Sequence, residues 1–210
     1  MPEGRNSPAT KARRREFAIW LTVQAANEDC VYTDECGFNV WTRRSRGRAI
    51  RGQLAVRQVH GQRGKNMTIS LAISAELRLV HYIVFEGGLN RDIFIGFLAE
   101  VAALLGDEHP CNIIFDNARA HLNVVNPSEY HACVSLPPYS PQLNPVELAF
   151  STLKAEIKRR LATMQDEFNI PPVNINLAQH RRALLTQVAY DHSLLYTGHE
   201  QSMRREICEG

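Results

Sequence analysis

The sequence predicts an α/β domain, a mixed β-sheet flanked by helices, and three observations predict it. Two short apolar runs, CVYTD (Cys30–Asp34) and CNIIFD (Cys111–Asp116), read as buried strands that each close on an acid. Two further runs, MTISLAIS (Met67–Ser74) and LVHYIVFEG (Leu79–Gly87), are separated by a few polar residues and predict a hairpin. Amphipathic helices alternate with these runs, over Asp92–Leu105 and Pro145–Leu161. Strand, hairpin, helix, strand and helix in that order imply one layered domain with its sheet covered by helices.

Taken in order, residues 1–10 are polar, carry Pro2 and Pro8, and are expected to be disordered. Residues 11–26 predict a short helix with Phe17, Trp20 and Leu21 as its apolar stripe. Between Asp34 and Met67 a further strand is expected around Gln53–Val59. In the helix over 92–105, Ile93, Phe97, Val101 and Leu104 fall on one face, Asp92 suits the N-cap and Gly106 the stop. HACVSLPP (His131–Pro138) reads as one more strand. The helix over 145–161 lines one face with Val146, Phe150, Leu153, Ile157 and Leu161. A polar link with prolines (163–176) leads to a last helical stretch near Leu177–Tyr190.

Composition narrows the function classes. At 210 residues, with 44% hydrophobic and 22% charged residues, the chain can bury a sizeable core. No apolar run approaches the roughly 20 residues that cross a bilayer, so no membrane association is expected. The polar start MPEGRNSPATKARRR lacks a signal peptide's apolar centre. Cys30, Cys36, Cys111, Cys133 and Cys208 are odd in number and form no CxxC pair, which argues against zinc ribbons and disulfide frameworks. Charge is uneven: residues 1–66 hold 13 Lys/Arg against 6 Asp/Glu, and the remainder 11 against 16. The excess sits in Arg13–Arg15 and from Arg43 to Arg51, a strip suited to phosphates, although on charge alone a solvated face is the commoner reading.

Three acids stand out by position. Asp34 and Asp116 end apolar β-like runs, and ligand sites in open α/β sheets gather at the carboxyl ends of neighbouring strands. Two carboxylates about 4 Å apart repel by roughly 4 kcal/mol at an effective dielectric near 20, so adjacency would require a shared proton, a base or a cation. Mg²⁺ suits such a pair, since it takes oxygen ligands and leaves room for a phosphate. Each Asp also suits a strand exit by itself, and Glu147 in Asn144-Pro145-Val146-Glu147 fits the N3 position of a capping box.

The surroundings of the acids decide between these readings. YTDECGF around Asp34, FDNARAH around Asp116 and LPPYSPQLNPVELAFSTLK around Glu147 together resemble the DDE superfamily endonuclease domain of mariner-like transposases and their bacterial insertion-sequence relatives. The resemblance extends through RGRAIRG and GQRGKN and covers roughly residues 13–162. It implies a ribonuclease H-like fold in which Asp34, Asp116 and Glu147 are catalytic acids that bind two Mg²⁺ (or Mn²⁺) ions. The implied reaction is metal-dependent cutting and joining of DNA phosphodiester bonds, with one ion activating water or a 3′-hydroxyl and the other stabilising the leaving oxygen. The implied partners are double-stranded DNA, as transposon ends and target, and a second copy of the chain. Arg43, Arg44, Arg46, Arg48, Lys154 and Lys158 are candidate phosphate contacts, and His121, five residues past Asp116, could orient a phosphate or a metal-bound water.

On this reading residues 1–26 are a disordered start and linker-like helix, 27–162 the catalytic domain, and 163–210 a helical extension. Two departures from the family pattern stand out. Only 33 residues precede Asp34, too few for the helix-turn-helix region that family members place there, and the 30 residues between Asp116 and Glu147 are a few short of usual. A transposase-derived DNA-binding protein or gene fragment without turnover is therefore the alternative reading. A ribonuclease H is a third, from which the SPQLNPVE block points away. The expected location is nuclear for a eukaryotic source and cytoplasmic otherwise.

Overall fold

The computed structural model describes residues 3–26, 28–38, 49–54, 66–75, 78–164, 167 and 170–190. Its centre is a five-stranded sheet built from β1 (Asp29–Phe38), β2 (Met67–Ser74), β3 (Leu79–Glu86), β4 (Cys111–Phe115) and β5 (His131–Ser135). The strand order is β3-β2-β1-β4-β5. β1, β2 and β3 form an antiparallel meander, whereas β4 joins β1, and β5 joins β4, in parallel. The expected mixed sheet and the hairpin over 67–87 are both present. The added strand expected near 53–59 falls mostly on residues outside those described.

Alternation along the strands sends side chains to two cores. On one face Tyr32, Ile69, Leu71 and Ile114 pack with α1 (Pro8–Ile19), α3 (Val146–Thr163) and α4 (Leu177–Tyr190). On the other, Val31, Ala72, Ile113 and Phe115 pack with α2 (Arg91–Leu105). The predicted stripe of α3 is the observed one: Val146, Phe150, Leu153, Ile157 and Leu161 are all buried. Burying five such side chains contributes about 1.5–3 kcal/mol each and fixes the roll of the helix that carries Glu147.

Three local expectations change. Residues 3–6 form a 3₁₀ turn and α1 begins at Pro8, because the Ser7 hydroxyl caps the Thr10 amide and proline suits a first helical turn. The helix then widens into a π turn at Trp20–Gln24. The buried stripe of α2 is Phe94, Phe97, Leu98, Val101 and Ala102, while Leu104 is 60% exposed. Rotating the helix this way turns two phenylalanines inward instead of one. The N-cap of α2 is Asn90, whose side chain accepts the Ile93 amide at 2.9 Å, with Asp92 inside the first turn. Asn90→Ala is therefore expected to cost about 1 kcal/mol in urea unfolding, and Asp92→Asn less than about 0.5 kcal/mol. A reversed order would return the cap to Asp92.

Candidate active site

The site follows from strand register. β1 and β4 pair in parallel with Tyr32 opposite Ile114, so Asp34 and Asp116, each two residues further on, stand level with one another. Both share the side-chain parity of Tyr32 and Ile114 and hence face the α3 side of the sheet. β4 ends at Phe115, immediately before Asp116. β1 does not end at Asp34 as expected but runs on to Phe38, because its antiparallel ladder with β2 continues to the Phe38–Met67 pair. Asp34 thus lies within a strand, at the point where the parallel partner stops.

Glu147 enters from α3. The expected capping box is not formed: Pro145 holds the N-cap position without a side-chain cap, and Asn144, one residue earlier, accepts the Val146 amide through Oδ1 at 3.2 Å. Glu147 is exposed and lines the same cleft of about 500 Å³ as Asp34 and Asp116, together with Asn117, Tyr139, Ser140 and Asn144. The loop between β5 and α3 forms the wall opposite the acids. Asn117 Nδ2 donates to the Leu136 carbonyl, and the Leu136 amide donates to Phe115 O at 2.7 Å, so the exits of β4 and β5 are tied together. Asn144, 4% exposed, lies 3.4 Å through Nδ2 from both Thr33 O and Asp34 Oδ2, which joins that wall to β1.

Burial holds the Asp34 carboxyl up at about 7, and the charges of Glu35, Asp116 and Glu147 add to the shift against the hydrogen bond from the Glu35 amide. Asp116 moves the other way. The hydrogen bond from His121 lowers it first, and the Ala118 amide assists. His121 Nδ1 lies 2.8 Å from Asp116 Oδ1, and Nε2 lies 3.1 Å from Glu35 Oε1. Burial would depress this imidazole, but the two carboxylates outweigh it and raise His121 to about 9. The ring therefore carries a positive charge at neutral pH, between Asp116 and Glu35.

The donor set suits a hard divalent cation. Three carboxylates line one cleft, and burial, with the charges of its acidic neighbours, pushes one of them, Asp34, up to about 7. A cation would relieve that repulsion. Among the described residues no three His, Cys, Asp or Glu side chains sit close enough to enclose one ion by themselves. Mg²⁺ keeps several waters and combines one or two carboxylates with substrate phosphate, so acids spread along one cleft are chemically suited to it.

The remaining expected residues are scattered around this centre. Lys154 reaches the Cys36 thiol and lies 5.9 Å from the centre of the Phe150 ring, beside the acids. Lys158, one turn further along α3, is half-buried. Arg43, Arg44, Arg46 and Arg48 lie outside the described residues. Sequence reasoning did not single out Glu35, Arg14 or Ser140. Arg14, part of the basic strip, donates from Nε to Ser140 Oγ at 2.8 Å and from Nη2 to Tyr139 O at 2.6 Å. It thereby braces the cleft wall at Tyr139, whose φ of 55° is unusual for a non-glycine residue. Arg13 and Arg15 remain exposed. No helix among the described residues is long and apolar enough to cross a membrane.

Comparison with known proteins agrees with this architecture. The Mos1 transposase paired-end complex with left transposon end superposes with a TM-score of 0.57 at 14% identity, covering 94% of this chain and 64% of that one. The Mos1 mariner paired end complex with Mn gives 0.57 at 16% identity, covering 87% and 60%. The corresponding complex with Mg gives 0.56 at 17% identity, covering 90% and 61%. The chain thus spans about three-fifths of the length of these solved proteins, and at such identities the likeness establishes the fold, a ribonuclease H-like sheet flanked by helices. Among curated protein sequences no match is found. The model of the DDE superfamily endonuclease family matches residues 29–169, which includes all three acids and two-thirds of the sequence, and the chain belongs to that family.

Proposed function

We propose that this chain is the catalytic domain of a transposase, a DNA endonuclease and strand transferase in which Asp34, Asp116 and Glu147 hold two Mg²⁺ or Mn²⁺ ions. The observation that carries the reading is the register that sets Asp34 level with Asp116 on one face of the sheet, with Glu147 in the same cleft. Bound ions would lower the pKa of an attacking water or 3′-hydroxyl and neutralise charge on the leaving oxygen. The protein's own part is to place three carboxylates and to keep the cleft in shape. In-line attack forms one P–O bond as the opposite P–O bond breaks, and the leaving 3′-oxygen takes up a proton from water. A 3′-hydroxyl attacking a second duplex gives joining by the same exchange.

The substrate is double-stranded DNA, namely transposon ends and target, and work on two ends calls for a homodimer. The exposed Arg13 and Arg15, the run from Arg43 to Arg48, and Lys154 and Lys158 on the helix that carries Glu147 are the basic groups that a phosphate backbone would meet. The test is plasmid nicking by the purified chain with Mg²⁺ or Mn²⁺, alongside Asp116→Asn and Glu147→Gln. Nicking is expected only with the metal and is lost in both variants. A folded protein that binds DNA without nicking would instead favour a DNA-binding relative that no longer turns over.

A further inference from the structure

Asp34 and Glu35 are consecutive on β1 and therefore project to opposite faces of the sheet. Asp34 belongs to the cleft. Glu35 has the parity of Val31, which belongs to the core beneath α2. On that far side His121 is buried, with its ring 3.9 Å between centroids from Phe94 and 5.5 Å from Phe115. One edge of the ring meets Glu35 Oε1 at 3.1 Å, and the other meets Asp116 Oδ1 at 2.8 Å. The Ala118 amide also donates to Asp116 Oδ1 at 2.8 Å. One oxygen of Asp116 thus takes two intramolecular hydrogen bonds, which sets the carboxylate plane and leaves Oδ2 for the cleft. The His121 side chain is 1% exposed and that of Glu35 16%, whereas the Asp116 side chain is 52% exposed, so the link is dry at its centre and open to solvent at the cleft end.

We propose that Glu35 is a positioning residue of the active site, acting through His121 to fix the orientation of Asp116 from the opposite face of the sheet. The role rests on the reading of Asp116 as a metal ligand. Carboxylates that bind metals are themselves held by hydrogen bonds, and loss of such a partner typically weakens metal binding by about 10–100-fold. The link Glu35–His121–Asp116 spans the gap that opens where β4 stops and β1 runs on, beyond the last β1–β4 pair at Tyr32–Ile114. Phe94 and Phe115 set the tilt of the ring, and the two carboxylates set its rotation.

Mn²⁺ binding to the metal-free protein, read from the electron paramagnetic resonance of free Mn²⁺, tests this without relying on turnover. Glu35→Ala is expected to raise the Mn²⁺ dissociation constant about 10-fold, with Glu35→Gln, which keeps an acceptor for Nε2, recovering most of the affinity. In an Asp116→Asn background Glu35→Ala is expected to change nothing further, because the residue through which it acts is gone. Persistence of the Glu35→Ala effect in that background would make Glu35 a ligand in its own right and overturn the proposal. So would a Glu35→Ala protein that melts lower but binds Mn²⁺ as the wild type does. If the wild-type protein binds no Mn²⁺, or Asp116→Asn binds it unchanged, the underlying reading of the cleft fails instead. The Glu35 variants keep the test available should His121→Ala not fold.

Discussion

Asp34→Asn is expected to abolish metal-dependent nicking while making the metal-free protein more stable. On the proposed role of Asp34 as a metal ligand, its loss removes several kcal/mol of transition-state stabilisation, so nicking should fall by about 10³-fold or more. Stability moves the other way because of what burial does to this acid. Its carboxyl is raised from 3.8 to about 7, so the folded chain holds the proton more tightly than the unfolded chain does. As pH rises through that interval the folded state must ionise a group it disfavours, and stability is lost. At pH 8 the cost is on the order of 2–4 kcal/mol, and an uncharged isostere removes it. His121 is present in both proteins, so its own contribution, held below its ordinary pKa and lost as pH rises through about 9, largely cancels in the comparison. Thermal melts of the two proteins from pH 4 to pH 8 should diverge steadily, Asp34→Asn melting higher at the alkaline end. A wild-type protein that matches the variant at pH 8 without metal would show that Asp34 is not the strained group.

Phe94→Ala is expected to be the most damaging single change outside the cleft. Phe94 is fully buried, meets Phe115 edge-on at 5.2 Å between ring centres, and supports the face of His121. Truncating such a phenylalanine costs about 3–5 kcal/mol through lost burial and the cavity left behind. The cavity would open under the imidazole that orients Asp116, so weaker Mn²⁺ binding should accompany the lower urea midpoint. Phe97→Ala, at a comparably buried position whose ring stacks on His81 at 5.6 Å, supplies the contrast: similar destabilisation with Mn²⁺ binding retained. Equal losses of metal affinity in both variants would mean that general loosening, and not support of His121, is responsible.

Much of the fold was legible because its signals are strong and local. Runs such as MTISLAIS can hardly be anything but a buried strand, and the stripe from Val146 to Leu161 is written at helical spacing. The rotation of α2 was not legible, since Ile93 and Phe94 are both apolar and only the sheet decides which turns inward. The end of β1 was misjudged at Asp34 for a related reason: whether a strand continues depends on its partner, and β2 is thirty residues away. The three acids are singled out by position and by the wording around them, but the level alignment of Asp34 with Asp116 is a property of register that no single segment contains. Arg14 and Glu35 were missed because nothing near either in sequence marks its partner. Ser140 lies 126 positions from Arg14, and His121 lies 86 positions from Glu35.

The unequal ends of β1 and β4 have a consequence for how this site can change. Asp34 is carried within a strand laddered to β2 on both sides of it, from the Val31–Ser74 pair to the Phe38–Met67 pair. Asp116 follows the last residue of a five-residue strand and is kept in place by side chains. One jaw is cast into the frame and the other is bolted on. Substitutions in the short turn from Asp116 to His121 can therefore shift the bolted jaw without re-registering the sheet. Amide hydrogen exchange should show the same asymmetry, slow at Asp34 and fast across 116–121.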